Sequence, residues 1–200
     1  TAWSAEAMHH TAYVEGDEQG ADPTVTAQNE AMWASIEEFL EATQKNPAVG
    51  QDAAEDSDAG GLGYKPSKDA SKVVVSGAMS YSGYKTMLYA KLPPDDVRVR
   101  AVRKYIAANY DLSEDPGRGK AGYYYYLHAM ARALDAAGLD SLKLTDGRLV
   151  KWREEIIAVL VGLQGENGGW HNAYGKYMES IPELVTAYAM MTLKTTLGTP

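Results

Sequence analysis

Four consecutive tyrosines, Tyr123 to Tyr126, followed closely by His128, are the residues of this chain whose types and spacing most invite chemistry. Successive helical residues point in different directions, so four rings in a row cannot share one face, and at least two surfaces of their helix must meet aromatic-tolerant surroundings. Rings that face a cavity can stabilise a carbocation or hold a cationic head group. Rings that face the interior pack as core and need partners for their hydroxyls. Both placements are open to these four. The tyrosine excess is general, fourteen Tyr against one Phe. That composition makes a wetter interior than a Phe-rich one and favours an amphipathic or polar ligand over a pure hydrocarbon. Tyr64, in the turn Gly60-Gly61-Leu62-Gly63-Tyr64, joins the candidate ligand-binding residues.

Candidate acid–base groups are few and scattered. Asp58 belongs to Asp56-Ser57-Asp58-Ala59, which reads most simply as a solvated acidic loop. Glu179 stands just ahead of the last helix, where an acid favours the local helix dipole. His128 lies one turn beyond Tyr124 and Tyr125, within reach of any cavity they line. Asp58 and Glu179 would serve two-carboxylate glycan chemistry only if they faced each other across a cleft, no more than about 10 Å apart. His9 and His10 are adjacent and point to different sides of a helix, so they make no two-His metal face. His171 stands beside Asn172 in the loop before the last helix. Gly117-Arg118-Gly119-Lys120 precedes a helix, and its amides could hold an anion, but without a preceding strand the signal is weak and an inter-helix connection is the simpler reading. No phosphate-binding P-loop, dinucleotide fingerprint, serine nucleophile elbow or HExxH zinc helix is present.

A formal charge of −8 and a pI near 5.0 argue against a nucleic-acid surface or an anionic membrane as partner. The acids cluster, Glu15, Asp17, Glu18 and Asp22 in one polar stretch and Asp52, Glu55, Asp56 and Asp58 in another. The absence of cysteine excludes disulfides, thiol catalysis and thiolate metal sites, and no cofactor or metal is expected. No apolar run approaches the roughly 20 residues that span a bilayer as a helix. A chain that starts at Thr1 fits a location outside the cytoplasm after removal of a leader.

These residues must be positioned by helices, because helical spacing dominates and strand-like alternation is confined to Val73–Val75. The spacing predicts a first helix over about 2–14, with Trp3, Ala7 and Val14 apolar and Gly16 past its end. A second covers about 26–44, with Met32, Ile36, Phe39 and Leu40 as its buried stripe. Others are expected over about 76–91, 95–109, 121–137, 150–164 and 180–197. The sixth turns Trp152, Ile156, Val159, Leu160 and Leu163 inward. Ser180-Ile181-Pro182-Glu183 combines a capping box with proline at the first helical position, and Gly198 is the stop signal. Seven helices and almost no sheet make an all-α protein.

A weak internal repeat runs through those helices. Phe39 to Gln44 leads toward Gly60–Tyr64 much as Val159 to Gln164 leads toward Gly168-Gly169-Trp170, with Tyr105 to Tyr110 as a degenerate copy in which Tyr110 holds the Gln position. The segment Leu163-Gln164-Gly165-Glu166-Asn167-Gly168-Gly169-Trp170 resembles the QW repeat of the squalene-cyclase and protein-prenyltransferase α/α-toroid family. In that motif Gln44 and Gln164 would tie one helix end to the next helix start, while Gly168 and Gly169 permit the turn and the Trp170 indole stacks beside it. The resemblance is strongest over 60–200 and weaker over 1–59, within what reads as one domain over 1–200.

The resemblance implies an α/α-toroid-like arrangement of helix pairs. A complete toroid has more helices than the seven read here, so a partial ring or open arc is expected, with an inner face prone to self-association or to binding something apolar. Its implied function is a binding or scaffold domain with an apolar or amphipathic small molecule on the concave face. A class II, squalene-hopene-like cyclase or isoprenoid-processing enzyme is the first alternative. It would need a DxDD acid motif, of which Asp56-Ser57-Asp58-Ala59 lacks the final Asp. The zinc chemistry of the prenyltransferases needs a Cys that the chain does not have. A glycan-active hydrolase or lyase is the second alternative.

Overall fold

The computed structural model describes residues 2–11, 23–45 and 56–198. Among the described residues there are seven α-helices: α1 (Ala2–Thr11), α2 (Pro23–Thr43), α3 (Gly77–Tyr89), α4 (Val97–Ala108), α5 (Tyr123–Ala136), α6 (Trp152–Leu163) and α7 (Pro182–Leu197). Local sequence starts and stops several of them as expected. The Ser76 hydroxyl accepts from the Met79 amide to begin α3, and Asp96 accepts from the Arg98 amide at 2.8 Å to begin α4. Pro182 opens α7, which Gly198 closes at φ +65.

Other expectations are corrected. Ile181, not Ser180, occupies the cap position of α7, and no side-chain cap bond forms there, so the capping box is absent. Met32 and Leu163 are exposed, because the buried stripes of α2 and α6 are narrower than their apolar sequence. Of the run Val73–Val75 only Val75 pairs, in a single bridge with Gly63. The small sheet lies elsewhere: Leu142–Lys143 (β1) and Leu149–Val150 (β2) form an antiparallel hairpin closed by Gly147 at φ +89. Val14, Gly16, Glu15, Asp17, Glu18, Asp22, Asp52 and Glu55 lie outside the described residues.

The helices pack in two layers. α1, α3, α5 and α7 lie side by side in chain order, each against the next, while α4 backs onto α3, α6 onto α5 and α7, and α2 onto α3. The core between the layers is built from Tyr81, Met87, Tyr126, Leu127, Met130 and Leu134 of the first layer and Trp152, Ile156 and Leu160 of α6. At Gly77 an added Cβ would sit 2.7 Å from the Tyr126 ring and 2.8 Å from the Asp115 side chain, so the start of α3 meets α5 with no room for a side chain.

The two central helices are capped by acids far away in sequence. Helix α5 begins after Gly122, at φ +76, which has no side chain to offer. Glu179 fills the role: its two oxygens accept from the Tyr125 amide at 2.9 Å and the Tyr124 amide at 3.3 Å, and the Asn172 side chain donates to it at 2.6 Å. Asp115 does the same for α3, accepting from the Ala78 amide at 3.1 Å while the Gly77 amide donates to the Pro116 carbonyl. Both acids are 1% exposed. Four amides at a helix start lack intrahelical partners, and a buried start left unsatisfied is costly.

The two glutamines of the repeat act differently. Gln44 is fully buried, and its amide nitrogen donates to Gly60 O and Arg98 O, both at 2.9 Å, linking the end of α2 to the Gly-rich turn and to α4. Gln164 donates at the surface to Gly168 O, within its own turn. Both donate to carbonyls, and neither reaches the amides of a following helix. The Trp170 indole is buried and donates to the Leu160 carbonyl at 2.8 Å.

Helix α1 is joined to the row by a buried ionic cluster, in which Lys85 of α3 donates to Glu6 at 2.6 Å and Arg132 of α5 donates to its other oxygen. Burial alone would raise the Glu6 pKa, but the two cations outweigh it and hold the carboxyl below its usual range.

Removal of the Glu179 side chain strands two helix-start amides and the Asn172 amide. Glu179→Ala is expected to lower unfolding stability by about 3 kcal/mol in urea titrations. Glu183→Ala, at an exposed position in the first turn of α7, should change it by less than about 0.5 kcal/mol.

Candidate functional site

A cavity of about 560 Å³ opens where the starts of α3 and α5 meet α1, α2 and α7. That size lies in the range of small-molecule sites. Its wall is mainly apolar, with Leu40, Leu62 and Met79 among the lining residues, and aromatic residues stand around it: Trp3, Tyr64, Tyr125, Tyr177 and Tyr188. Ser82, Thr86 and Thr43 add hydroxyls, and Asp115 and Arg118 add the charged chemistry.

Helical spacing explains which residues meet there. Met79, Ser82 and Thr86 stand at i, i+3 and i+7 along α3. Tyr125 of α5 faces Ser82, their hydroxyls 3.3 Å apart, and its ring meets Tyr188 of α7 edge-on, with centroids 5.7 Å apart. Tyr177 is carried by a strained segment: Tyr177 and Met178 both have positive φ, at +57 and +65. Non-glycine residues in that region cost roughly 1 kcal/mol or more each and persist only when the surroundings fix them. Here Arg118 donates to the Tyr177 hydroxyl and lies over its ring, 5.4 Å from the centroid, while the ring packs against Gly122.

Asp115 is the single acid on the cavity wall among the described residues. One of its oxygens holds the start of α3, and the other is enclosed by protein and has no hydrogen-bond partner. Burial pushes this carboxyl up to about 7, against the lowering influence of the Ala78 and Gly77 amides and of Arg118. The backbone from Asp115 to Gly119 folds into a tight turn in which the amides of Arg118 and Gly119 both donate to the Asp115 carbonyl. Within Gly117-Arg118-Gly119-Lys120, the amides of Arg118 and Gly119 are thus committed to this turn.

The four consecutive tyrosines divide between the two placements open to them. Tyr125 lines the cavity, as does Tyr64 from the Gly-rich turn. Tyr123, Tyr124 and Tyr126 are buried core, and their hydroxyls donate to the carbonyls of Leu112, His171 and Asp111 respectively. Of these four candidates for ligand contact, Tyr125 is the one on this cavity's wall.

His128 is buried beside the cavity, not on its wall: its ring stacks on Trp3 at 6.0 Å and lies 6.0 Å from Tyr188, and its Nδ1 has no partner. Burial first, then Lys85 and Arg132, lowers its pKa to about 4, so the imidazole is neutral near pH 7. Asp58 lies away from the cavity wall in a turn where Lys45 pairs with it at 3.6 Å and with Asp56 at 3.2 Å. Glu179 caps α5 with both of its oxygens.

Asp115, Tyr177, Tyr188 and Met79 reach the site without having been singled out by sequence, whereas the sequence marks Trp3 only as an apolar helix position and Arg118 only as part of a loop. Asp115 begins an Asp-Pro-Gly turn, and a turn is all that such a string signals. Tyr188 follows the apolar periodicity of α7 and reads as core. Compared with protein-family models, with curated proteins and with solved structures, this chain matches none.

Asp115 and His128 give opposite contributions to the pH dependence of stability. The Asp115 pKa is higher in the folded chain, so its contribution is present below about pH 4 and is lost as pH rises toward 7. The His128 pKa is lower in the folded chain, so its contribution is present above about pH 6.5 and is lost as pH falls toward 4. The stability difference between the wild type and Asp115→Asn should thus decline between pH 4 and 7, by no more than roughly 4 kcal/mol. Urea titrations at half-unit pH intervals check the slope, and for His128→Gln the difference should run in the opposite sense.

Proposed function

We propose that this protein is a binding domain that holds an amphipathic small molecule in the cavity at the starts of α3 and α5, on a helix-pair scaffold of the toroid-like kind. The observation that carries the reading is the cavity itself, about 560 Å³, with an apolar wall, a surround of Trp3 and four tyrosines, and a few polar groups. Pockets that bury a small ligand combine these features. The Tyr and Trp rings offer large apolar faces at low entropic cost, and their polar tips, with Ser82 and Thr86, suit a ligand that carries hydroxyls or a head group. The strained Tyr177-Met178 segment beside the cavity is the kind of backbone that functional sites hold in place.

Two further readings rest on particular observations. An acid-initiated reaction on an isoprenoid, in the manner of the class II cyclases, draws support from Asp115 alone, the one carboxyl on the wall among the described residues. Its free oxygen is enclosed, so this reading also requires a rearrangement that brings it to the ligand. Self-association draws support from the apolar side chains that α7 leaves exposed, Met190, Met191 and Leu197 among them. The glycan-hydrolase reading has less to support it, because both oxygens of Glu179 are engaged in capping and Asp58 pairs with Lys45.

Native mass spectrometry with farnesol, an isoprenoid alcohol that combines an apolar body with one hydroxyl, tests the binding reading. The expected result is a one-to-one adduct that Met79→Trp, which fills the cavity, weakens at least tenfold with little change in melting temperature. Tyr125→Ala should weaken it several-fold. An adduct of equal strength in Met79→Trp would place binding elsewhere and contradict the reading.

A further inference from the structure

Helix α4 is a positive element in a negative protein. Between Val97 and Ala108 it carries Arg98, Arg100, Arg103 and Lys104 and no acid, in a chain of net charge −8. Arg98 is neutralised by Asp96 and Glu37. The other three are exposed and stand at i, i+3 and i+4, the spacing that places side chains on one helix face. Among the described residues, Arg100 and Arg103 make no ion pair.

That face forms one wall of a groove of about 430 Å³ whose lining, among the described residues, contains no carboxyl. Lys143 of β1, also exposed and without an ion pair among the described residues, adds a further cation to the lining. The floor is apolar, made by Tyr84, Ile106, Leu134 and Leu142, and Leu149 of β2 lines the groove with its side chain exposed. Like charges one turn apart destabilise a helix by a few tenths of a kcal/mol per pair, and an anion on this face would relieve that repulsion.

We propose that the groove between α4, the end of α5 and the β1–β2 hairpin is a second binding site, for a small amphipathic anion. Its acidic head, a phosphate or sulfate, pairs with Arg100, Arg103 and Lys143, and its apolar body covers Leu139, Leu142 and Leu149. Arginine forks suit such oxyanions, and the apolar floor adds affinity that a bare inorganic ion cannot gain. The site shares no lining residue with the cavity beside Asp115, and the two stand or fall separately.

Isothermal titration of the full chain with monomeric octyl phosphate tests this, with inorganic phosphate and the uncharged octyl glucoside as companion probes. Octyl phosphate should bind at least tenfold more tightly than either companion and weaken as salt is raised. Arg100→Gln combined with Arg103→Gln should cost at least tenfold, Leu149→Ser should cost several-fold for octyl phosphate and nothing for inorganic phosphate, and Lys72→Gln, remote from the groove, should change nothing. Octyl glucoside bound as tightly as octyl phosphate, or octyl phosphate binding unchanged in the double variant, would overturn the proposal. Sedimentation with vesicles rich in anionic phospholipid, without binding of monomeric octyl phosphate, would also overturn it by making the partner a membrane surface.

Discussion

The arrangement of this protein depends on two buried acids that cap helices they do not belong to. Helices α3 and α5 both begin inside the structure, and α5 begins after a glycine that has no side chain to cap with. Asp115, from the turn ahead of α5, holds the start of α3, and Glu179, from the loop ahead of α7, holds the start of α5. Each acid thus joins the loop before one helix to the first turn of the preceding helix in the row. The cost of burying the acid is offset by amides that would otherwise be buried without partners. Replacement by a local cap would satisfy the same amides but would leave the loops unattached.

The cavity follows from this arrangement. Acids reach across to the helix starts, so the loops that carry them, Asp115–Gly122 and Asn172–Glu179, lie along the edge of the row and wall the cavity with Arg118, Gly122 and Tyr177. The closing of one oxygen of Asp115 onto an amide leaves the other enclosed in apolar surroundings, which raises its pKa. On the opposite flank, the Glu6–Lys85–Arg132 cluster brings α1 against α3 and α5 and places Trp3 on the cavity. Removal of Glu6 would leave the buried Lys85 ammonium without its carboxylate and break the link of both cations to α1, so the position of Trp3 depends on that acid.

Most of the helical frame was legible in the sequence, because long periodic segments with Pro, Gly, Ser and Asp at their ends carry local information. All seven helices lie where the spacing puts them, within a residue or a few at the ends described. What failed had no local signal. Ser180 has the residue pattern of a cap, yet the backbone enters α7 through Ile181, since Glu179 just upstream is drawn toward α5. The hairpin Leu142–Val150 has two residues per strand, too short to alternate. Met32 and Leu163 extend apolar stripes beyond what their neighbours cover. The site was legible only in part: Tyr125 and Tyr64 were among the residues singled out and line the cavity, while Asp115, Tyr177 and Tyr188 come together through contacts between loops and helices far apart in sequence. Glu179 was noted for its place before a helix, but the helix it serves is α5, not the one that follows it.

In solution, Asp115 and Glu179 should satisfy the first turns of α3 and α5 as they do in this structure. Amide hydrogen exchange followed by NMR reads this directly at Ala78, Tyr124 and Tyr125. First-turn amides without an acceptor exchange quickly, whereas these three should be protected to the degree of amides in the middle of α5, and Glu179→Gln should accelerate Tyr124 and Tyr125 at least tenfold while leaving Ala78 protected. Rapid exchange of these amides in the wild-type chain, at rates typical of exposed helix starts, would contradict the account.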